Sequence, residues 1–168
     1  AYNNLGNVYK DLDKYDDSIK YYEKAIKIKP DYAEAHYNQG CLYRDNKKYL
    51  EAIKKYELAI KINSDYPEAY NNLGYVLRNI GKLDEAIINY KKAIKINANF
   101  AETYSNLGHL LKEVGKIDEA KDYDNKLLSL KPDDIEHKIN TILSITPVVN
   151  SVEDIIFFRN EYKKGLES

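Results

Sequence analysis

The 168-residue sequence contains no Met and no Trp, one Cys, 4 Pro and 7 Gly. A single cysteine excludes an internal disulfide framework, and with it a small secreted cystine scaffold. So few helix breakers in a chain that is 32% charged point to helices joined by short turns. An excess of either charge is also missing: 26 Lys and Arg against 27 Asp and Glu leave a net charge of −1. No global positive field therefore draws the chain to nucleic acid or to an anionic membrane. The longest apolar runs, such as Val148-Val149 or Ile155 to Phe158, fall far short of the roughly 20 residues that span a bilayer. No charged-then-apolar leader opens the visible residues, and a cytoplasmic setting is expected. A start at Ala1-Tyr2-Asn3 without an initiator Met is expected of a piece cut from something longer.

What the sequence does have is tyrosine, 17 of them against 3 Phe, and their placement follows that of the glycines. Gly6, Gly40, Gly74 and Gly108 are each 34 residues apart. They close the phrases Asn4-Leu5-Gly6, Asn38-Gln39-Gly40, Asn72-Leu73-Gly74 and Asn106-Leu107-Gly108. Nineteen positions after each glycine stand Ala25, Ala59, Ala93 and Leu127, and three before the alanines stand Tyr22, Tyr56 and Tyr90. A fixed period of this size marks a solenoid built from one repeated supersecondary unit. Within a unit, Tyr70, Leu73, Gly74 and Leu77 share one helical face, and Ala86, Tyr90 and Ala93 share another. Between them Gly81 suits the left-handed residue that ends a helix. Each unit therefore reads as helix, tight turn, helix. Asp31, Asp65, Asn99 and Asp133 are followed three residues later by Glu34, Glu68, Glu102 and Glu136. That spacing predicts capping boxes, with helices starting near 32, 66, 100 and 134.

These residues resemble the tetratricopeptide repeat family. Its small-and-large signature falls on Tyr70, Leu73, Gly74, Leu77, Ala86, Tyr90 and Ala93, and in the first unit on Tyr2, Leu5, Gly6, Tyr9, Ser18, Tyr22, Ala25 and Pro30. The second unit departs at His36 and Gln39 and has Asn46-Lys47 in its turn; the fourth degrades to Asp124 and Leu127. The resemblance implies an all-α solenoid, a right-handed superhelix of four units over 1–32, 33–66, 67–100 and 101–134. After Pro132 the register is lost: a capping helix is expected over 135–145, carrying Ile135, Ile139, Ile142 and Leu143. A linker and amphipathic helix over 146–168, with Ile155, Phe158, Tyr162 and Leu166 on one face, would lead to a downstream domain that is absent here.

Stacked hairpins line a groove with their first helices. If Tyr70, Leu73 and Leu77 pack inward, a turn of about 100° per residue places Glu68, Asn72, Tyr75 and Asn79 on the opposite side. The equivalent positions are Asn4, Asn7 and Asp11, then Asn38, Cys41 and Asp45, then Asn106, His109 and Glu113. One column never varies: Asn4, Asn38, Asn72, Asn106. An adjacent column is always basic: Lys10, Arg44, Arg78, Lys112. An asparagine amide offers the donors and the acceptor that an extended peptide backbone needs. With helices about 8–10 Å apart and about 3.3 Å per extended residue, one rung meets a ligand about every third residue. Ligand binding is the reading favoured for these asparagines; the alternatives are that they bond neighbouring helices or persist through repeat duplication. The basic column suits acidic ligand groups, or else pairs with Asp11, Asp45 and Glu113.

The asparagine column resembles the repeats of O-linked N-acetylglucosamine transferases, where such a ladder holds the substrate backbone. That resemblance implies substrate-backbone contacts at Asn4, Asn38, Asn72 and Asn106, and it extends to the Pro147–Leu166 stretch. The carboxylate-clamp type wants Lys one position earlier, where Asn3, Tyr37, Asn71 and Ser105 stand, so that clamp is not expected. No catalytic constellation emerges. His36, His109 and His137 are scattered over different units, Cys41 has no neighbouring base, and no glycine-rich phosphate loop is present. His36 reads as a core substitute for tyrosine. The expectation is a protein or peptide partner in the groove, with no cofactor, metal, nucleic acid or membrane. The chain is read as monomeric or weakly self-associating through terminal helices. Two functions fit: the substrate-recruiting arm of a glycosyltransferase, or a scaffold with no attached chemistry.

Overall fold

The computed structural model describes residues 1–132; the capping helix expected over 135–145 and the linker helix over 146–168 lie outside the described residues. Among the described residues every regular element is an α-helix. They follow in pairs: α1 (Tyr2–Asp11) and α2 (Tyr15–Ile28), α3 (Ala33–Asp45) and α4 (Tyr49–Ile62), α5 (Pro67–Asn79) and α6 (Leu83–Ile96), α7 (Ala101–Glu113) and α8 (Ile117–Leu130). The chain forms two compact units, Ala1–Asn106 and Leu107–Ser168, and each is described by itself.

Every hairpin turns at one repeat position. Asp13 and Lys47 have φ of 57°, Gly81 has 80° and Gly115 has 78°. Around Gly81, the Lys82 N–H donates to Leu77 O at 2.9 Å and the Gly81 N–H to Arg78 O at 3.0 Å, which satisfies two of the helix's last carbonyls. The Lys47 turn repeats this with Lys48 N–H on Tyr43 O at 2.8 Å. The first two units therefore make the glycine turn without glycine, at the cost of a side chain in the left-handed region.

The starts of the first helices correct the capping-box expectation. Helices begin at Ala33 and Pro67, their N-caps are Tyr32 and Tyr66, and neither makes a side-chain cap bond. Asp31 and Asp65 sit one residue too early: each helix starts only after the tyrosine, and Tyr32 N–H closes a turn on Lys29 O at 3.2 Å. Glu34 and Glu102 do not loop back onto their own helices; they accept hydrogen bonds from Asn3 and Asn71 of the preceding hairpin, each at 3.0 Å. Asn63 and Asn97 shape the connections instead, their Oδ1 atoms accepting from Asp65 N–H at 3.1 Å and Asn99 N–H at 3.0 Å. The fourth box, Asp133 with Glu136, lies outside the described residues.

The predicted small-and-large columns interlock as each hairpin's core. Tyr22, Tyr56 and Tyr90 are fully buried. Their rings cross the first helix at glycine: a Cβ on Gly40 or Gly74 would lie 2.8 Å from the facing tyrosine Cε1. In the Leu107–Ser168 unit Asp124 replaces the ring, fully buried, with Lys112 Nζ 2.7 Å from its Oδ2. His36 takes tyrosine's place as expected: its Nε2 lies 3.1 Å from Pro30 O, as Tyr104 OH lies 3.1 Å from Ala98 O.

Candidate peptide-binding face of the first helices

Helix α5 divides as its periodicity dictates. Leu73 and Leu77 are buried, while Tyr75, 41% exposed, and exposed Asn79 each lie about 200° round the helix from the leucine two positions earlier. The matching face of α1 carries exposed Asn4 and Asp11 with half-buried Asn7; that of α3 carries half-buried Asn38, buried Cys41 and exposed Asp45. Within Ala1–Asn106 this gives a mainly polar face across three successive first helices.

The asparagine column is engaged between hairpins. Asn38 Nδ2 donates to Asn3 Oδ1 at 3.1 Å, and Asn106 Nδ2 donates to Asn71 Oδ1 at 3.1 Å. Since Asn3 and Asn71 also donate to Glu34 and Glu102, each junction is a relay of carboxylate, amide and amide. Asn38 and Asn106 keep an Oδ1 and a second amide proton for a ligand. Asn72 differs. It is 7% exposed, its Nδ2 donates to Tyr37 OH at 3.0 Å, and its Oδ1 accepts from Arg44 Nη1 at 2.9 Å. Asn4 is exposed, and Asn7 accepts from Tyr22 OH at 2.6 Å. Asn79 Nδ2 donates to Tyr75 O within its own helix at 2.8 Å.

The basic column is also not uniform. Arg44 holds Asp45 through Nε at 2.9 Å and Nη2 at 2.8 Å, besides its contact with Asn72. Lys10 and Arg78 are half-buried. Burial pushes the Tyr90 phenol up, and the Arg78 charge opposes that shift. In the Leu107–Ser168 unit, Lys112 pairs with Asp124 and His109 is exposed. Sequence reasoning missed the aromatic centre of the face. Tyr37 packs 4.9 Å from the Tyr66 ring and 5.9 Å from Tyr56, and burial raises its phenol pKa. The signal was present: Tyr37 interrupts the Asn3 and Asn71 column. Among the described residues no group of three or more His, Cys, Asp or Glu gathers to hold a metal, and no helix is long and apolar enough to cross a membrane.

Helical hairpins repeating every 34 residues, the first three each locked by a tyrosine crossing a glycine, define a helical-repeat protein. Tetratricopeptide repeat models match residues 1–32, 21–54 and 101–134, and a TPR repeat model matches 40–81 and 74–115. The chain belongs to the tetratricopeptide repeat family. No curated protein sequence matches it. Among solved structures, one of MamA is 25% identical, with a TM-score of 0.81, over 97% of this chain and 93% of that one. YrrB, described as a TPR protein with an unusual peptide-binding site, is 21% identical, with a TM-score of 0.75, over 99% of this chain and 89% of that one. The first TPR of Spaghetti (RPAP3), bound to the HSP90 peptide SRMEEVD, is 26% identical, with a TM-score of 0.66, over 68% of this chain and 90% of that one.

Proposed function

We propose that this chain is a protein-interaction module that takes an extended peptide or protein segment on the α1–α3–α5 face. The observation that carries this reading is the polar face itself. Successive first helices present amides on this face (Asn4 and Asn79 exposed, Asn38 half-buried) and an exposed aromatic ring, Tyr75. Peptide binding by YrrB and by the Spaghetti repeat supports the same use of the fold. Asn4, Asn38 and Asn106 serve the ligand backbone, Tyr75 packs on its side chains, and Asn7, Asn79, Lys10 and Arg78 select among them. Asn72 and Arg44 hold that face in shape through the bonds described. The module works in the cytoplasm, where Cys41 stays a thiol.

Peptide arrays probed with the wild type and with Tyr75→Ala plus Asn79→Ala test this reading. Both side chains are exposed, so the double variant keeps its fold. A loss of about tenfold in affinity, near 1.4 kcal/mol, is expected; unchanged binding overturns the assignment of the face.

A finer reading makes the module the recruiting arm of a glycosyltransferase of the O-linked N-acetylglucosamine transferase type. It rests on the Asn4, Asn38, Asn72 and Asn106 column and the stretch from Pro147 to Leu166. The hydrogen bonds between hairpins supply a second physical reason for that column, which favours the scaffold reading. A gene product without a two-lobed nucleotide-sugar domain after Ser168 ends the transferase reading.

A further inference from the structure

On the other side of α5 from Tyr75, helices α4 and α6 both pack against α5 and not against each other. They leave a cleft of about 610 Å³, with Leu73, Leu77 and Ile80 as its floor and Leu50, Ile53 and Ile60 along one wall. One period earlier, Tyr43 stands in place of Leu77 and Lys55 in place of Asn89, and both are half-buried. Leu77 and Asn89 line the cleft, which Glu57 and Glu85 border.

The rim is basic. Lys54, Lys61, Lys82 and Lys92 face two carboxylates, Glu57 and Glu85. Lys82 is paired with Glu85 at 2.8 Å and Lys92 lies over the Tyr70 ring at 5.6 Å. Lys54 and Lys61 make no ion pair among the described residues. Beyond Tyr70 and Lys92 a second hollow of about 640 Å³ adds Lys95 and Ile96. An apolar floor under uncommitted ammonium groups fits a ligand that is both apolar and acidic.

We propose that this cleft is a second docking site, for an extended segment that alternates apolar and acidic side chains. From Leu50 to Lys61 the wall runs about 16 Å at 1.5 Å per helical residue. An extended chain covers that length with about five residues. Alternate apolar side chains reach the floor, and the carboxylates between them meet the long, flexible lysines. Asn89, whose Nδ2 is held by Glu85 O at 2.8 Å, offers its Oδ1 to a backbone N–H of the segment.

The test is fluorescence anisotropy with labelled Asp-Leu-Asp-Ile-Asp-Leu-Asp, and with the same peptide carrying Lys for Asp. Leu77→Tyr fills the cleft with the residue the first two units carry at that position, Tyr9 and Tyr43. Lys54→Glu with Lys61→Glu reverses the rim at exposed positions and leaves the floor intact. The acidic peptide is expected to bind the wild type, the basic one not, and each variant to weaken binding at least tenfold. Tyr75→Ala with Asn79→Ala, on the other face, leaves this affinity unchanged, which separates the result from the groove reading. Equal affinity in wild type and both cleft variants overturns the proposal. So does saturation by dodecanoate with no binding of the acidic peptide, which assigns the cleft to fatty acids. If Leu77→Tyr fails to melt as the wild type does by circular dichroism, the lysine reversal decides.

Discussion

Replacing Gly74 by alanine puts a methyl group where the Tyr90 ring already is. The new Cβ would lie 2.8 Å from Cε1, 2.9 Å from Cδ1 and 3.1 Å from Cζ of Tyr90. The ring is fully buried and has no free space to swing into, so α5 and α6 must separate or the ring must leave its rotamer. Overpacking of this kind costs about 1–3 kcal/mol. Against it stands the helix preference for Ala over Gly, about 0.5–1 kcal/mol. The balance is a loss of about 1–2 kcal/mol, or roughly 2–8 °C in melting temperature for a chain of this size. The decisive measurement is a double-mutant cycle with Tyr90→Ala, read by urea denaturation at constant m value. Once the ring is gone the clash is gone, and Gly74→Ala reverses sign to stabilise by about 0.5–1 kcal/mol. The coupling energy then equals the clash itself. A Gly74→Ala variant as stable as the wild type, or one with the same effect in both backgrounds, refutes the glycine–tyrosine lock.

The three core phenols separate by their hydrogen bonds. Tyr90 OH is buried without a partner, so Tyr90→Phe is expected to be neutral or stabilising by up to about 1 kcal/mol, whereas Tyr22→Phe loses the bond to Asn7 and about 1 kcal/mol; equal melting temperatures would contradict this. Lys47→Gly relieves a left-handed lysine and is expected to stabilise by about 0.5–1 kcal/mol in chemical denaturation. Asp124→Ala strands Lys112 beside an empty ring site and is expected to cost about 3 kcal/mol, visible as faster hydrogen exchange in α7 and α8. Burial raises the Tyr22 phenol from 10.0 to about 12, so the native state holds its proton where the unfolded chain has released it. Stability is therefore full below pH 10 and falls as the pH rises from 10 to 12, followed by tyrosinate absorbance; Tyr22→Phe moves the onset of unfolding to higher pH.

The hairpins were legible because one cause, the tyrosine crossing a glycine, recurs at a fixed spacing, and the sequence displays spacing directly. Gly81 announced its turn for the same reason. Lys47 did not, because its left-handed backbone goes with the turn bonds of its own hairpin, Lys48 N–H on Tyr43 O and Lys47 N–H on Arg44 O, which no residue preference at lysine records. The caps misled because Asp31 and Glu34 have the right types and spacing, but Asp31 lies in the turn that Tyr32 N–H closes on Lys29 O, and Tyr32 takes the cap position. The asparagine column was visible as a column, yet its bonds join residues 35 and 31 apart, to the neighbouring hairpin, where the 34-residue period shows no correlation. Tyr37 is a departure from the repeat, which an argument built on recurrence passes over.

The relay at the junctions gives the hairpins an order of assembly. The first hands an amide, Asn3, to the second's Asn38 and Glu34; the third hands Asn71 to Asn106 and Glu102; the second offers a phenol, Tyr37, that only Asn72 answers. Hairpins that share one repeat are therefore not interchangeable parts. A chimera that moves the second hairpin to the front presents Tyr37 where Asn3 had served the next Glu, and one that duplicates the third gains a fitting joint. Anyone splicing this array would do better to cut by junction chemistry than by sequence identity.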